Sequence, residues 1–201
     1  MQGQLSFRDP SSRVHIVDNP VFRFVRQESS EHLRAFVKSS LASHLVAEGK
    51  LIPAWIRLGT GDLPSGLSGL AEDAPLILEH ERDPFISYPY EWSAGMLWAA
   101  ACLTLELASR ALPEGYLLKD ATPYNVLYRG PRPVFVDWTS FEPHDPHASV
   151  WLPYAQFVRC FILPLLAHRR LGMSLQAQLM YFRDGLEPDT VYSWLPAIGR
   201  F

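Results

Sequence analysis

The stretch Leu118-Lys119-Asp120-Ala121-Thr122-Pro123-Tyr124-Asn125-Val126-Leu127, continued by Pro133-Val134-Phe135-Val136-Asp137-Trp138, decides how this chain is read. Asp120 and Asn125 stand five apart, and Asp137 follows Asn125 by twelve residues at the end of an apolar run. Asn125 to Tyr128 and Pro133 to Val136 read as short strands flanking a turn. A hairpin of that kind can bring two acids and an amide to one edge. All three side chains carry hard oxygen donors suited to Mg²⁺. A carboxylate not consumed by metal can orient or deprotonate a hydroxyl. Taken alone, an Asp and an Asn in a loop also serve as turn formers and backbone caps.

Upstream, Ser93 is placed to cap a long helix to about Leu112, with Met96, Leu97, Ala100, Leu103, Leu107 and Ala111 on one side. Pro113-Glu114-Gly115 ends it. Pro75 to His80 reads as a buried strand, and Pro84 to Trp92 as an aromatic, proline-rich linker. Near the start, Arg13 to Val17 and Val21 to Val25 predict a hairpin turning at Asp18-Asn19-Pro20. Ser29 or Ser30 is then the expected cap of a helix with Glu31 in its first turn, periodic from Leu33 to Val46 and stopped by Gly49. Ile52 to Leu58 is another candidate strand. Gly59 to Asp73 holds four glycines but neither the Walker spacing nor its Gly-Lys-Ser/Thr ending, and reads as a mobile surface loop. Beyond Pro143 helices return over about 149–171, interrupted by Pro153 and Pro164, and over about 174–184. Sheet first and helix later predicts an α+β chain in two lobes, 1–83 and 84–201.

Composition supports a folded protein: of 201 residues 48% are hydrophobic and 19% charged. A formal charge of −3 disfavours a grip on nucleic-acid phosphates. The same balance makes the aromatic run Phe85, Tyr88, Tyr90 and Trp92 a packed hinge rather than a base-stacking platform. The only lysines are Lys38, Lys50 and Lys119. Cys102 and Cys160 are expected as buried thiols, with no metal-type spacing around them. His144 and His147 flank Asp145-Pro146 and fit a loop better than a metal site. There is no G-x-S-x-G elbow and no glycine-rich turn of the SAM-binding kind. The first thirteen residues lack a signal-peptide core, and the apolar stretches around 94–105 and 160–167 fall short of a bilayer span. A soluble cytoplasmic protein is expected, with no membrane and no nucleic-acid partner.

The 118–138 segment resembles the catalytic region of the protein-kinase-like superfamily, above all its aminoglycoside and choline phosphotransferase branch. That branch shows H-x-D-x-x-P-x-N-[VI]-[LI], then an apolar strand and I-D-[FW]. Asp120, Pro123, Asn125, Val126 and Leu127 fall in register, as does Val136-Asp137-Trp138. The resemblance implies Asp120 as catalytic base, with Asn125 and Asp137 as ligands of Mg²⁺. It places the interlobe hinge, which would pair with adenine, at Glu79-His80-Glu81. The string KDATPYNVLYRGPRPVFVDWTSFEP resembles more closely the kinase-like N-terminal region of bacterial SAM-dependent methyltransferases and nodulation-related proteins. This likeness extends over roughly 35–200, and 116–143 is its specific part.

The chain departs from the pattern at definite places. Leu118 stands where the histidine belongs, and Thr139 where the glycine after the metal-binding acid would be. No G-x-G-x-x-G loop precedes the first helix, and no lysine lies in an early strand. Arg23 or Arg26 is the candidate substitute for that lysine, with Glu31 as its helix partner, though a guanidinium fork differs from a lysine point charge. The resemblance therefore implies a reduced kinase-like fold binding Mg²⁺ and ATP, with Arg23, Arg26, Glu31, Glu79 and Glu81 on the nucleotide side. The implied activity is phosphoryl transfer to a small hydroxyl or amine acceptor. The alternative is a non-catalytic, pseudokinase-like module that binds a nucleotide or partner beside an attached or associated methyltransferase.

Overall fold

The computed structural model describes residues 12–16, 20–57, 63–64, 67–71, 74–147 and 150–196. The turn residues Asp18 and Asn19 and most of the glycine-rich 59–73 segment lie outside them. Strands β1 (Ser12–Ile16) and β2 (Val21–Val25) lead to helices α1 (Gln27–Val37) and α2 (Ser40–Ala47). Next come β3 (Ala54–Arg57), the single-turn α3 (Ser68–Ala71) and β4 (Leu76–His80). The strands form one antiparallel sheet in the order β1-β2-β4-β3.

Alternation along β2 sets up the site. Phe22 and Phe24 face an outer cluster with Ile77 and Leu67, whereas Val25 belongs to the main core. Arg23 shares the parity of Val25 and so lies on the core side of the sheet. Opposite it in register is Leu78 of β4, also in the main core.

The expected single helix from Ser29 to Gly49 is two. It begins at Gln27 with Arg26 as its cap residue, and breaks where Ser39 adopts an extended backbone and accepts from Ala42 N with its hydroxyl. A serine competing for backbone donors ends one helix and starts the next. Gly49 does stop α2, at a φ of 68°.

The later half opens with α4 (Ala94–Ala111), capped by Ser93 through Met96 N. Four short strands follow: β5 (Tyr116–Leu118), β6 (Val126–Arg129), β7 (Arg132–Phe135) and β8 (Phe141–Pro143). β6 pairs with β7 and β5 with β8, so each pair forms its own ribbon. Then α5 (Pro153–Phe157), a π-turn (Val158–Ile162) and α6 (Leu163–Leu171) run on as one rod, followed by α7 (Leu175–Tyr181) and α8 (Pro188–Trp194). Pro153 opens the rod at its first turn rather than interrupting it, and Pro164 sits just past the π-turn. α8 was not foreseen.

The architecture is α+β, with the four-stranded sheet before residue 83 and helix prevailing after it. One core cluster is nevertheless continuous across that point, joining Val25, Leu33 and Phe36 to Leu97, Trp138 and Phe141. Among the described residues, Ala94–Glu114 is long and apolar enough to cross a membrane by length and composition. Its Leu97, Leu103 and Leu107 are buried in this core. Cys102 lies on its exposed side, contrary to expectation, because it falls outside that stripe.

Candidate functional site

Asp120 lies in the loop after β5. That loop is anchored to the turn after Asp137: Lys119 N donates to Ser140 O at 2.8 Å, and Asp120 N to Ser140 Oγ at 3.3 Å. On the other flank Ala121 N donates to Gln156 Oε1 of α5 at 2.6 Å, and Gln156 Nε2 reaches Asp120 Oδ1 at 3.5 Å. Asn125 ends a 3-10 turn that Thr122 caps by accepting from Tyr124 N. Val136 N donates to Asn125 O at 2.9 Å, which holds Asn125 and Asp137 at the open end of the β6-β7 hairpin.

The turn after Asp137 is pinned from the opposite side. Phe36 of α1 stacks on Phe141 at 4.2 Å between centroids and meets Trp138 edge-on. Trp138 Nε1 donates to Ile52 O at 2.9 Å. Phe135 N donates to Lys50 O and Ile52 N to Phe135 O, both at 2.9 Å. The segment between α2 and β3 is thus fastened to the strand that delivers Asp137.

Arg23, Asp120, Asn125 and Asp137 all line one cleft of about 620 Å³. Arg23 Nη1 sits 3.0 Å from Asp137 Oδ1, and donates to the Ser12 and Thr139 hydroxyls, each at 3.0 Å. Thr139 Oγ1 in turn donates to Asp137 Oδ1 at 2.6 Å. The threonine in the glycine position therefore ties the carboxylate to its own turn and to the arginine. Asn125 Nδ2 and Arg23 Nε are buried with no hydrogen-bond partner. Such orphan donors mark where an acceptor-rich ligand would be stabilised.

The other expected residues are not brought here. Arg26 is exposed at the start of α1 and lines a separate hollow with Gln27 and Glu28. Glu31 is exposed because the buried stripe of α1 runs through Ser30, Leu33 and Phe36; it has no ion pair among the described residues. Glu79 takes the opposite parity to Leu78 on β4 and pairs with Arg57 on the outer face. Glu81 pairs with Arg129 at 3.3 Å, beside Asp83, which binds the same arginine at 2.9 Å. Of the hinge triplet only His80 points inward. It is 5% exposed, and both ring nitrogens lack a partner. Burial, with Arg23 nearby, pushes its pKa down to about 3.

Sequence reasoning missed the helical wall. Gln156, Arg159 and Cys160 line the cleft from one face of the rod, and Arg183 and Asp184 from the loop before α8. The signal was present in Gln156-Phe157-Val158-Arg159-Cys160, polar side chains at helical spacing within an apolar run. Among the described residues no cluster of three His, Cys, Asp or Glu side chains is disposed to hold a metal. Asn125 and Asp137 supply two oxygen donors, which suits Mg²⁺ only as a cation whose other ligands come from phosphates and water.

No family model matches the chain. The chain is 34% identical over 162 residues to the nodulation protein NoeA of Rhizobium meliloti (strain 1021), covering 80% of this chain. The chain spans about a third of that relative's length, the matched part being 32% of it.

Proposed function

We propose that the chain is a kinase-like phosphotransferase domain that takes Mg²⁺-ATP in the cleft between the sheet and the helical half. The convergence of Asp120, Asn125, Asp137 and a strand-borne cation, Arg23, carries this reading. The element order supports it too: a small antiparallel sheet with a packed helix, a linker, then a long helix leading to the Asp120 loop. Similarity to a nodulation protein is in keeping with the group that the 116–143 segment resembles.

In this reading Asn125 and Asp137 would hold the cation, and Arg23 would face the phosphates. Bound Mg²⁺-ATP supplies the phosphoryl group: an acceptor-oxygen to γ-phosphorus bond forms as the β–γ bridging bond breaks, and ADP leaves. Asp120 accepts the acceptor's hydroxyl proton and releases it to solvent. Gln156, fixed to the Ala121 amide, steadies the Asp120 carboxylate.

The non-catalytic alternative rests on one observation. Asp137 Oδ1 is already engaged by Arg23 and Thr139, so a metal must use the remaining oxygen or displace the pair. Calorimetric titration with ATP, with and without Mg²⁺, tests the proposal. Mg²⁺ should raise nucleotide affinity, and Asp137→Asn should erase that gain. Equal affinity with and without Mg²⁺ favours the module, and no binding at all overturns the phosphotransferase and leaves a module that binds a partner rather than a nucleotide.

A further inference from the structure

The cleft lining divides by the elements that carry it. Arg23, Asn125 and Asp137 come from the strands and their turns; Gln156, Arg159 and Arg183 come from the helical wall. Asp120 touches both groups, through Ser140 on the strand side and Gln156 on the helix side. If the strand side receives nucleotide, the helical wall is where an acceptor must approach Asp120.

That wall is built rigidly. The π-turn leaves Arg159 O free to accept from Leu186 N at 2.9 Å. Gly185 then lies so close that a Cβ there would fall 2.6 Å from the Arg159 backbone carbon, and its φ is +91°. The loop bearing Arg183 is thereby clamped against the helix bearing Arg159. π-turns inside α-helices frequently accompany functional sites.

The charges of the wall are unequal within the cleft: two guanidiniums, Arg159 and Arg183, against the one carboxylate of Asp184. Glu187 pairs with Arg159 Nη2, but Arg159 Nε stays buried without a partner. Arg183 is exposed and has no ion pair among the described residues. Guanidinium forks match the geometry of carboxylates and phosphates. We infer that the helical wall is an acceptor subsite for an anion, so that the acceptor joins its reacting hydroxyl to a carboxylate or phosphate group. This rests on the phosphotransferase reading for the reaction, but not for the anion binding.

Arg183→Gln tests it, since the exposed side chain can be changed without loss of fold. Phosphoproduct formation is measured with D-glycerate, glycerol 3-phosphate, glycerol and ethanolamine, alongside Mg²⁺-ATP calorimetry. One of the two anionic acceptors should exceed glycerol and ethanolamine in kcat/KM by about tenfold or more, the scale of a charge-assisted contact. Which of the two does so separates carboxylate from phosphate. The variant should lose that preference while binding Mg²⁺-ATP as before. Neutral or cationic acceptors used equally well, or a preference that survives Arg183→Gln, overturns the inference. Should the wild type bind no Mg²⁺-ATP, the phosphotransferase reading fails separately. NMR titration with glycerate and glycerol 3-phosphate then decides: weakening of at least about tenfold in Arg183→Gln sustains the anion subsite, and absence of binding removes it.

Discussion

Arg23 on β2 and Asp137 after β7 form an ion pair at 3.0 Å, with side chains only 12% and 13% exposed. Strand parity puts Arg23 on the core side of the sheet, and the hairpin edge presents Asp137 to it. The pair links the sheet to the loop that carries the metal-type acid, and Ser12 and Thr139 complete its shell. A lysine ammonium can contact phosphates from such a position as a point charge. Arg23 is instead held to the protein by Nη1, which meets three oxygens, while its buried Nε has no partner and is the donor left for a phosphate.

Breaking so buried a pair should be costly. Arg23→Ala and Asp137→Ala are each expected to destabilise the fold by about 3 kcal/mol, because each strands a charge. The double variant should lose less than the sum, with a coupling of about 2 kcal/mol in denaturant melts. Additive losses would show that the pair contributes nothing specific.

Gly185 and Gly115 both have positive φ, +91° and +81°, but only Gly185 would place a Cβ against backbone. Gly115→Ala should cost about 1 kcal/mol, the strain of a left-handed residue. Gly185→Ala should cost more than about 3 kcal/mol, since the Arg159 backbone cannot yield as a side chain would. Equal effects in thermal melts would mean that the loop before α8 is not clamped as the geometry requires.

Much of the site was legible because it is local. Asp120, Asn125 and Asp137 lie in one stretch of eighteen residues; hairpin pairing brings Asn125 and Asp137 together, and the bonds to Ser140 bring Asp120 to them. Of the N-terminal candidates Arg23 reaches the cleft and Arg26, Glu31, Glu79 and Glu81 do not, for reasons of register. Whether Arg23 or Arg26, and whether Glu79 or His80, faces inward depends on parity in β2 and β4 and on where α1 begins. A serine cap at Ser29 or Ser30 was the wrong start, since both side chains are buried and the helix enters at Gln27. The helical wall was legible only in the polar spacing of Gln156 and Arg159, for another reason. Arg159 and Arg183 meet the cleft only through the π-turn and the Gly185 contact, and a π-turn leaves no plain mark in the sequence.

His80 should make stability depend on pH. Its unfolded value is the usual 6.5 and burial holds the folded value at about 3. The unfolded chain therefore binds a proton that the folded chain refuses, so stability falls as pH drops from about 6.5 toward 3. The expected slope is about 1.4 kcal/mol per pH unit through the middle of that window. His80→Leu has similar bulk and no proton to take. Denaturant melts at pH 7, 6, 5 and 4 should show the variant gaining on the wild type by roughly that slope. It should be no less stable at pH 7, because two unpartnered buried nitrogens are removed with the ring. Parallel curves would place the pH sensitivity elsewhere.

Asp120→Asn separates the enzyme from the module. The substitution keeps the side chain's shape, and the backbone bonds from Asp120 N to Ser140 and from Ala121 N to Gln156 do not involve its carboxylate. The loop should therefore hold. A base that accepts the acceptor's proton acts in the transition state, not in nucleotide binding. The phosphotransferase reading thus expects unchanged Mg²⁺-ATP affinity and a fall in turnover on the order of 10²-fold or more. The module reading expects no turnover in either protein and equal affinity in both. A purely structural Asp120 would instead show as a loss of about 1 kcal/mol in melts, the scale of a missing cap, without any change in rate. Phosphoproduct assays, calorimetry and melts on the two proteins give three different patterns. Wild-type protein that turns over no acceptor in a broad panel removes the enzyme reading, and Asp120→Asn that turns over as fast as the wild type removes Asp120 as its base.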